Sequence, residues 1–519
     1  MCRLIKQLLI GIHHTTTPHS SAAAAWVFGR SKDHKDTILY SLKRSRENSP
    51  KNTGMDGKEL FRIAMSQDHN IKVVFRHKDT SSRRNHRRRR KDRSRSGSSR
   101  RRRRRRGEMI EKKPPVGQTF EDVVRDVLAD HKLRAGFPRR VERHVDEIAK
   151  KGFLSDTLKD MTHLPFITID NDNSMDLDQA MYIRRSSSPS SSTYEVLYAL
   201  ADGAFFARPG TPIFEEAVRR GGSSFYLPTL CIPMLPRRLS EDLMSLNANV
   251  IRRALVFTIR LDMDGNVIST DYVWAKIRSR WKGTYREAQL YYDGELDFRG
   301  KPYKETLDLL KIVGNLRRAI ARNRDVVEYN RERGGLRVTK DPKTKKTILK
   351  SEFQKRLKSE LYNEQISLLC NMEGAKILST AANKNPLLIH PIFRTQHAPR
   401  ESQVKTLEKV IGALVKSHHL DPSVWMWRRN RGEKLGSYLR RLHHHCGGKS
   451  AKFSNTRVPE WQWGVLRAID RQAMMTNVGA TFSAKASGHY ALRAPSYARF
   501  SSPMREIVGC FVHKELYVV

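Results

Sequence analysis

Cysteine is scarce in this sequence and never paired. Five thiols, Cys2, Cys231, Cys370, Cys446 and Cys510, are spread over 519 residues. Their number is odd and no Cys-x-x-Cys occurs, so neither a disulfide framework nor a zinc ribbon can be built from them. That usage predicts a reducing, cytoplasmic compartment. Long apolar runs are missing too: no stretch reaches the roughly 18 residues that a membrane-spanning helix needs, and no membrane partner is expected. Acids are in short supply, with 54 Asp and Glu against 98 Lys and Arg and a formal net charge of +44. A chain so basic is expected to meet a phosphate backbone. No internal repeat period is present.

Much of the basic excess is local. RRNHRRRRKDRSRSGSSRRRRRRR at 83–106 has no apolar residue to bury, so it cannot form a core and is expected to be disordered. A solubilising tail, an RNA tether and an import-like basic signal all remain open for it. Residues 1–30 lack acids and carry Arg, Ser and Thr as an organelle transit segment does. Their apolar stretch is short and interrupted by histidine, and no export is read from it. His443, His444, His445 and Cys446 stand in a row, but neighbours on a helix point in different directions, so a basic helix end is expected rather than a metal tract.

Against this background, LPFITIDNDNSMDLDQAMYI (164–183) stands out. An apolar run delivers Asp170, Asp172, Asp176 and Asp178 within nine residues, and a second apolar run follows. Crowded carboxylates repel and raise one another's pKa values; a bound divalent cation is the usual compensation, and all-oxygen ligands favour a hard metal over zinc. An EF-hand calcium loop starting at Asp170 is excluded, because it would need Gly where Met175 stands and Glu where Met181 stands. A solvated acidic turn is the other reading, and the β-rich sequence on both sides argues against it.

Helical periodicity marks 117–133 and 138–152. Strands are expected at about 164–170, 176–184 and 194–201, with SSSPSSST as a flexible hairpin tip. From 213 to 260 come a helix, the Pro-rich YLPTLCIPMLPRRLS and the strand ALVFTIRLD, turning at Asp264–Gly265. Helices are then expected at 284–291, 303–333, 352–380, 401–416, 433–445 and 460–475, with a final β-and-helix segment over 479–516. The mixture predicts an α+β fold, one large mixed sheet with surrounding helices.

Several blocks, in order, resemble the catalytic (RNB) domain of the ribonuclease II family. The family motif is a strand ending in Asp, a loop, then Asp-x-Asp-Asp; here it reads Asp170, Asp176, Asp178 and Gln179. The stretch 201–255, IRSRWKGTYREAQ (277–289), RGGLRV (333–338), NEQISLLCNMEGAKIL (363–378), FRTQHAPRE (393–401) and the terminal GHYALRAPSYARFSSPMREIVGCFVHKEL (488–516) follow in family order. With 1–107 read as a disordered basic tail and 108–160 as a helical lead-in, the resemblance implies an RNB-type domain over 161–519. It further implies a monomeric 3′→5′ hydrolytic exoribonuclease that acts on single-stranded RNA and releases nucleoside 5′-monophosphates with Mg²⁺, or Mn²⁺ in its place.

By the same resemblance, Asp170, Asp176 and Asp178 are the metal ligands, and Arg505 clamps a phosphate. Tyr226 and Tyr285 stack on bases, and Glu364 matches an acidic helix position. Taken alone, Tyr226 and Tyr285 read as half-buried packing tyrosines and Glu364 as an arginine's partner. The sequence departs from the pattern at Gln179, which replaces the fourth acid, and at Glu506 and Ile507, where a basic residue and Tyr are usual. No counterpart of the family's flanking OB-folds is read before 160 or after 519. Strand alternation puts Asp176 and Asp178 on one face and Gln179 on the other, although in the family the fourth acid reaches the site through local irregularity. Two functions stay open: an active exoribonuclease, and a catalytically impaired RNA-binding relative.

Overall fold

The computed structural model describes residues 120–131, 133–186, 193–227, 230–329, 347–447 and 458–519, with further strands at 25–30, 38–43, 61–65, 71–75 and 332–340. It divides into two bodies, Met1–Lys132 with Gly334–Phe353, and Leu133–Arg333 with Gln354–Val519. The smaller holds the antiparallel pairs Ala25–Arg30 with Ile38–Lys43 and Phe61–Met65 with Ile71–Phe75, and the helix Phe120–Asp130. Those four strands lie inside the stretch read from sequence as disordered; each is a short apolar-rich run outside the arginine block. The block itself, residues 1–24 of the transit-like start and the hairpin tip at 187–192 lie outside the described residues.

The larger body is α+β and is built on a six-stranded mixed sheet. In chain order its strands are β1 (Lys159–Asp160), β2 (Phe166–Asp170), β3 (Gln179–Arg185), β4 (Tyr194–Ala201), β5 (Ile251–Leu261) and β6 (Val267–Thr284). In space they run β5-β4-β3-β2-β6-β1. β6 is 18 residues long. Its first part pairs antiparallel with β5, and its last part pairs parallel with β2 up to Thr284 opposite Asp170. One strand therefore joins both ends of the ladder and closes it into a ring. The register shifts between Ser279 and Trp281, near the point where β6 changes partners, as expected where a strand must bend. β4 is buried along its whole length, the fate of an apolar strand covered on both faces.

The helices that cover the ring are α1 (Arg139–Lys151), α2 (Pro212–Arg219), α3 (Tyr285–Asp293), α4 (Lys304–Asn323), α5 (Lys358–Lys384) and α9 (Ile507–Leu516). Val141 and Val145 of α1 are fully buried in one core with Phe166, Leu177, Ile277 and Met504. The second helix expected in the lead-in thus belongs to the core of the larger body. A second core joins α6 (Glu401–Ser417), α7 (Leu435–Gly447) and α8 (Glu460–Thr476) around Trp425, Tyr438 and Leu466. In it, His443 Nε2 lies 2.8 Å from Asp470 Oδ2.

Two helix boundaries differ from the sequence reading. The helix expected over 303–333 ends at Asn323, because Asp325 takes a left-handed conformation with φ 59°. The apolar spacing beyond it places Val327 and Tyr329 against the second core instead. The helix expected from 352 starts at Lys358, because Thr347–Lys355 is a strand paired with Glu332–Lys340. Its alternating letters fit a hairpin as well as a helix.

Candidate active site

Four strand ends meet at one edge of the ring. β2 and β6 run parallel and end together, Asp170 beside Thr284. β3 begins at this edge with Gln179, and β4 ends there with Leu200 opposite it. Thr284 then caps α3. Its hydroxyl accepts the Glu287 N–H at 3.0 Å, and the Glu287 carboxylate accepts the Thr284 N–H at 2.8 Å. This reciprocal cap fixes where Tyr285 leaves the strand.

Asp178 is 2 % exposed. Its Oδ1 accepts the Met504 N–H at 2.9 Å, and its Oδ2 accepts from Arg505 Nε at 2.8 Å. Burial pushes its carboxyl up to about 6, against the pull of Arg505 and the Met504 amide. Asp176 is half-buried; burial also raises its carboxyl, with Arg505 opposing and Asp170 adding to the rise. The Arg505 side chain is 37 % exposed. Its proton is held more tightly than usual by the charge of Asp178 first, then of Asp176 and Asp170.

Beside this cluster lies an open cleft of about 820 Å³, whose wall includes Asp176, Tyr226, Tyr285, Arg286 and Met504. Tyr226 is 63 % exposed, an available ring. Desolvation and then Asp176 push its hydroxyl up to about 12. Tyr285 is half-buried: its hydroxyl accepts from Asn363 Nδ2 at 2.9 Å, and its carbonyl accepts the Ser359 hydroxyl at 2.6 Å. Both tyrosines therefore line the cleft. Glu364 instead pairs with Arg356 at 2.6 Å, and its neighbour Glu360, one helical turn away, is the acid that α5 contributes to the cleft wall.

Gln179 is absent from that wall. Its Nε2 donates to the Ser501 carbonyl, and its Oε1 accepts the Tyr198 hydroxyl. Consecutive residues 178 and 179 thus both grip the terminal block, which simple strand alternation would not allow; Asp178 precedes the first strand residue and is free of the pleat. Sequence reasoning missed Asn371. It is 1 % exposed, accepts the N–H groups of Phe500 and Ser501, and donates to the Ser501 hydroxyl and the Tyr497 hydroxyl. A lone amide inside LLCNMEGA, on an otherwise apolar helix face, is the signal that could have found it. Glu506, one of the departures from the family pattern, forms a fork with Arg499 at 2.7 and 3.1 Å, tying the two ends of the block together.

Among the described residues no three Asp, Glu, His or Cys groups converge into a metal cage. Asp178 has both oxygens engaged. Asp170 bonds to its neighbour Asn171, and its charge opposes that of Asp176. Two mutually repelling carboxylates, Asp176 on the cleft wall and Asp170 near it, fit Mg²⁺ or Mn²⁺, because Mg²⁺ is usually held by one or two carboxylates, with waters and substrate phosphate oxygens completing its shell.

Known proteins give the same picture of the fold. The RNB domain family is matched by residues 158–519. Ribonuclease R of Buchnera aphidicola is 27% identical over 398 residues, covering 75% of this chain and 49% of its own. Ribonuclease R of Escherichia coli is 25% identical over 401 residues, covering 75% and 44%. The chain thus spans about half the length of the curated relatives it matches. Mycoplasma genitalium RNase R in complex with double-stranded RNA superposes with a TM-score of 0.63 at 21% identity, over 77% of this chain and 65% of that one. The same enzyme in complex with ribose methylated single-stranded RNA gives 0.64 at 18% identity, over 96% and 68%.

Proposed function

The chain belongs to the RNB domain family, and on that premise we propose that it is a 3′→5′ hydrolytic exoribonuclease acting on single-stranded RNA. The overall reaction adds water across the terminal phosphodiester. The phosphorus–O3′ bond breaks, a water oxygen joins phosphorus, and a proton ends on the departing 3′ oxygen. The product is a nucleoside 5′-monophosphate.

One observation carries the reading: Asp176, Tyr226 and Tyr285 line one cleft, and the Arg505 guanidinium interacts electrostatically with Asp176, Asp170 and Tyr226 beside it. Asp170 and Asp176 would hold the divalent cation, which when bound activates water and neutralises charge on the phosphate. Asp178 accepts from Arg505 Nε and so orients the guanidinium, whose remaining donors suit a phosphate oxygen. Tyr226 and Tyr285 offer rings on which terminal bases stack, and stacking is indifferent to base identity. The excess of Lys and Arg supplies attraction along the RNA backbone. No helix of the described residues is long and apolar enough to cross a membrane. Monomeric action in the cytoplasm completes the proposal.

The test is decay of 5′-labelled single-stranded RNA, with and without Mg²⁺, by wild type and Asp176→Asn. Stepwise shortening from the 3′ end that needs the metal is expected for wild type. The variant should lose it while still binding RNA, since a negative charge facing phosphate is removed. Binding without shortening at any Mg²⁺ or Mn²⁺ concentration would favour the impaired RNA-binding relative, a reading that rests on the amide at Gln179. No binding would exclude both.

A further inference from the structure

We infer that Gln179 is a positioning residue: its amide fixes the terminal block 501–505 and thereby the placement of Arg505, a task that a carboxylate at this position would oppose. The inference rests on the proposed role of Arg505 in RNA binding.

The Ser501 carbonyl is the key acceptor. Ser501 is 3 % exposed, and Gln179 Nε2 donates to its carbonyl. A buried carbonyl without a donor carries its full desolvation cost. The other end of the amide is equally committed, because Oε1 accepts the hydroxyl of Tyr198, which is fully buried. A carboxylate at 179 could accept from Tyr198, but its second oxygen would face the Ser501 carbonyl, acceptor against acceptor. Only an amide, or a protonated acid, satisfies both partners.

From Ser501 the constraint reaches the guanidinium through a short, stiff path. Asn371 holds the N–H groups of Phe500 and Ser501, and Asp178 holds the Met504 N–H and Arg505 Nε. Pro503, between them, has a fixed φ and is packed from two sides. A Cβ at Gly203 would stand 2.8 Å from Pro503 Cβ, and one at Gly509 would stand 2.7 Å from Pro503 Cα. A block so confined shifts as a unit when one anchor is lost. The Arg505 carbonyl also accepts the Ser224 N–H at 3.0 Å, so a displaced block would carry the strand of Tyr226 with it. The missing fourth acid is, on this account, a donor that the loop requires.

Short single-stranded RNA binding, measured in EDTA so that turnover plays no part, tests the inference in a double-mutant cycle. Arg505→Ala should weaken binding by about tenfold, the scale of a charge-assisted contact. Gln179→Leu should weaken it about fivefold in the wild-type background and by less than about twofold in the Arg505→Ala background, the remainder passing through Tyr226. Gln179→Glu supplies the check against a mere folding defect. Its affinity relative to wild type, compared at each pH, should approach one in acid, where the protonated acid donates to Ser501, and fall as the carboxyl ionises. The groups facing the amide are Asp178 beside it, Tyr198 on β4, Cys370 on α5, Tyr285 at the head of α3 and Arg505; because a carboxylate at 179 also perturbs the titration of Asp178, the same ratio taken in an Asp178→Asn background separates the two. Multiplicative effects of the two substitutions, or a Glu variant indistinguishable from wild type at every pH, would overturn the inference and leave the proposed function standing. Wild type without affinity for RNA would overturn both.

Discussion

Asp178 is the residue on which geometry and electrostatics pull hardest against each other. Its folded value of about 6 lies above the ordinary 3.8, so the folded chain takes up this proton before the unfolded one does. The sign follows: its contribution to stability is fully present below about pH 4 and is lost as pH rises through about 6. Under the proposed function activity runs the other way, because only the ionised form accepts both the Met504 N–H and Arg505 Nε. Single-turnover RNA decay at saturating Mg²⁺ should therefore fall with a one-proton slope as pH drops through about 6. An acid limb centred near 4 would contradict a burial-raised Asp178. In urea unfolding, the stability of Asp178→Asn relative to wild type should improve by roughly 1–3 kcal/mol between pH 4 and pH 7.

Among the elements, α5 does most to hold the site together. It runs from Lys358 to Lys384 and presents Asn363 to Tyr285, Asn371 to the terminal block and Gly374 to Phe500. Asn371 makes four hydrogen bonds from a fully buried position. Asn371→Ala should cost about 2–4 kcal/mol in denaturant unfolding, because two buried N–H groups are left without an acceptor. A Cβ at Gly374 would come within 2.5 Å of the Phe500 ring, so Gly374→Ala should cost about 1–3 kcal/mol by overpacking. The double variant should lose less than the sum, since both act on one block. Additive losses would mean that α5 contacts the block at two independent points. The periodicity of this helix was legible in the sequence; the partner of each polar residue was not, because Asn371 and Ser501 stand 130 residues apart.

For the whole molecule, charge is the dominant property. Of the 98 Lys and Arg, those in 1–107 are concentrated in a block with nothing to bury. If they tether RNA, deletion of 1–107 should weaken binding and flatten its dependence on salt, since fewer counterions are released. The rate at saturating RNA should barely change. A large loss of rate at saturation would show that the segment contributes to the site itself.

Composition and spacing determined a great deal by themselves. The apolar run ending at Asp170, the carboxylates after it and the strand and helix patterns around them specified the α+β class and a carboxylate cluster at a strand end, whereas the phosphate-facing role proposed for Arg505 came only with the family resemblance. They could do so because strand periodicity and clustered charge are local properties of the chain. Tertiary structure alone decided which of these groups are free to act. It joined Asp178 to Met504 and Arg505 across more than 300 residues, sent Glu364 to Arg356, and turned Gln179 from the cleft to Ser501 and Tyr198. The physical reason is that ring closure by β6 and the packing of Pro503 between Gly203 and Gly509 bring distant polar groups into a buried space. There, each donor must find an acceptor whatever its position in the sequence.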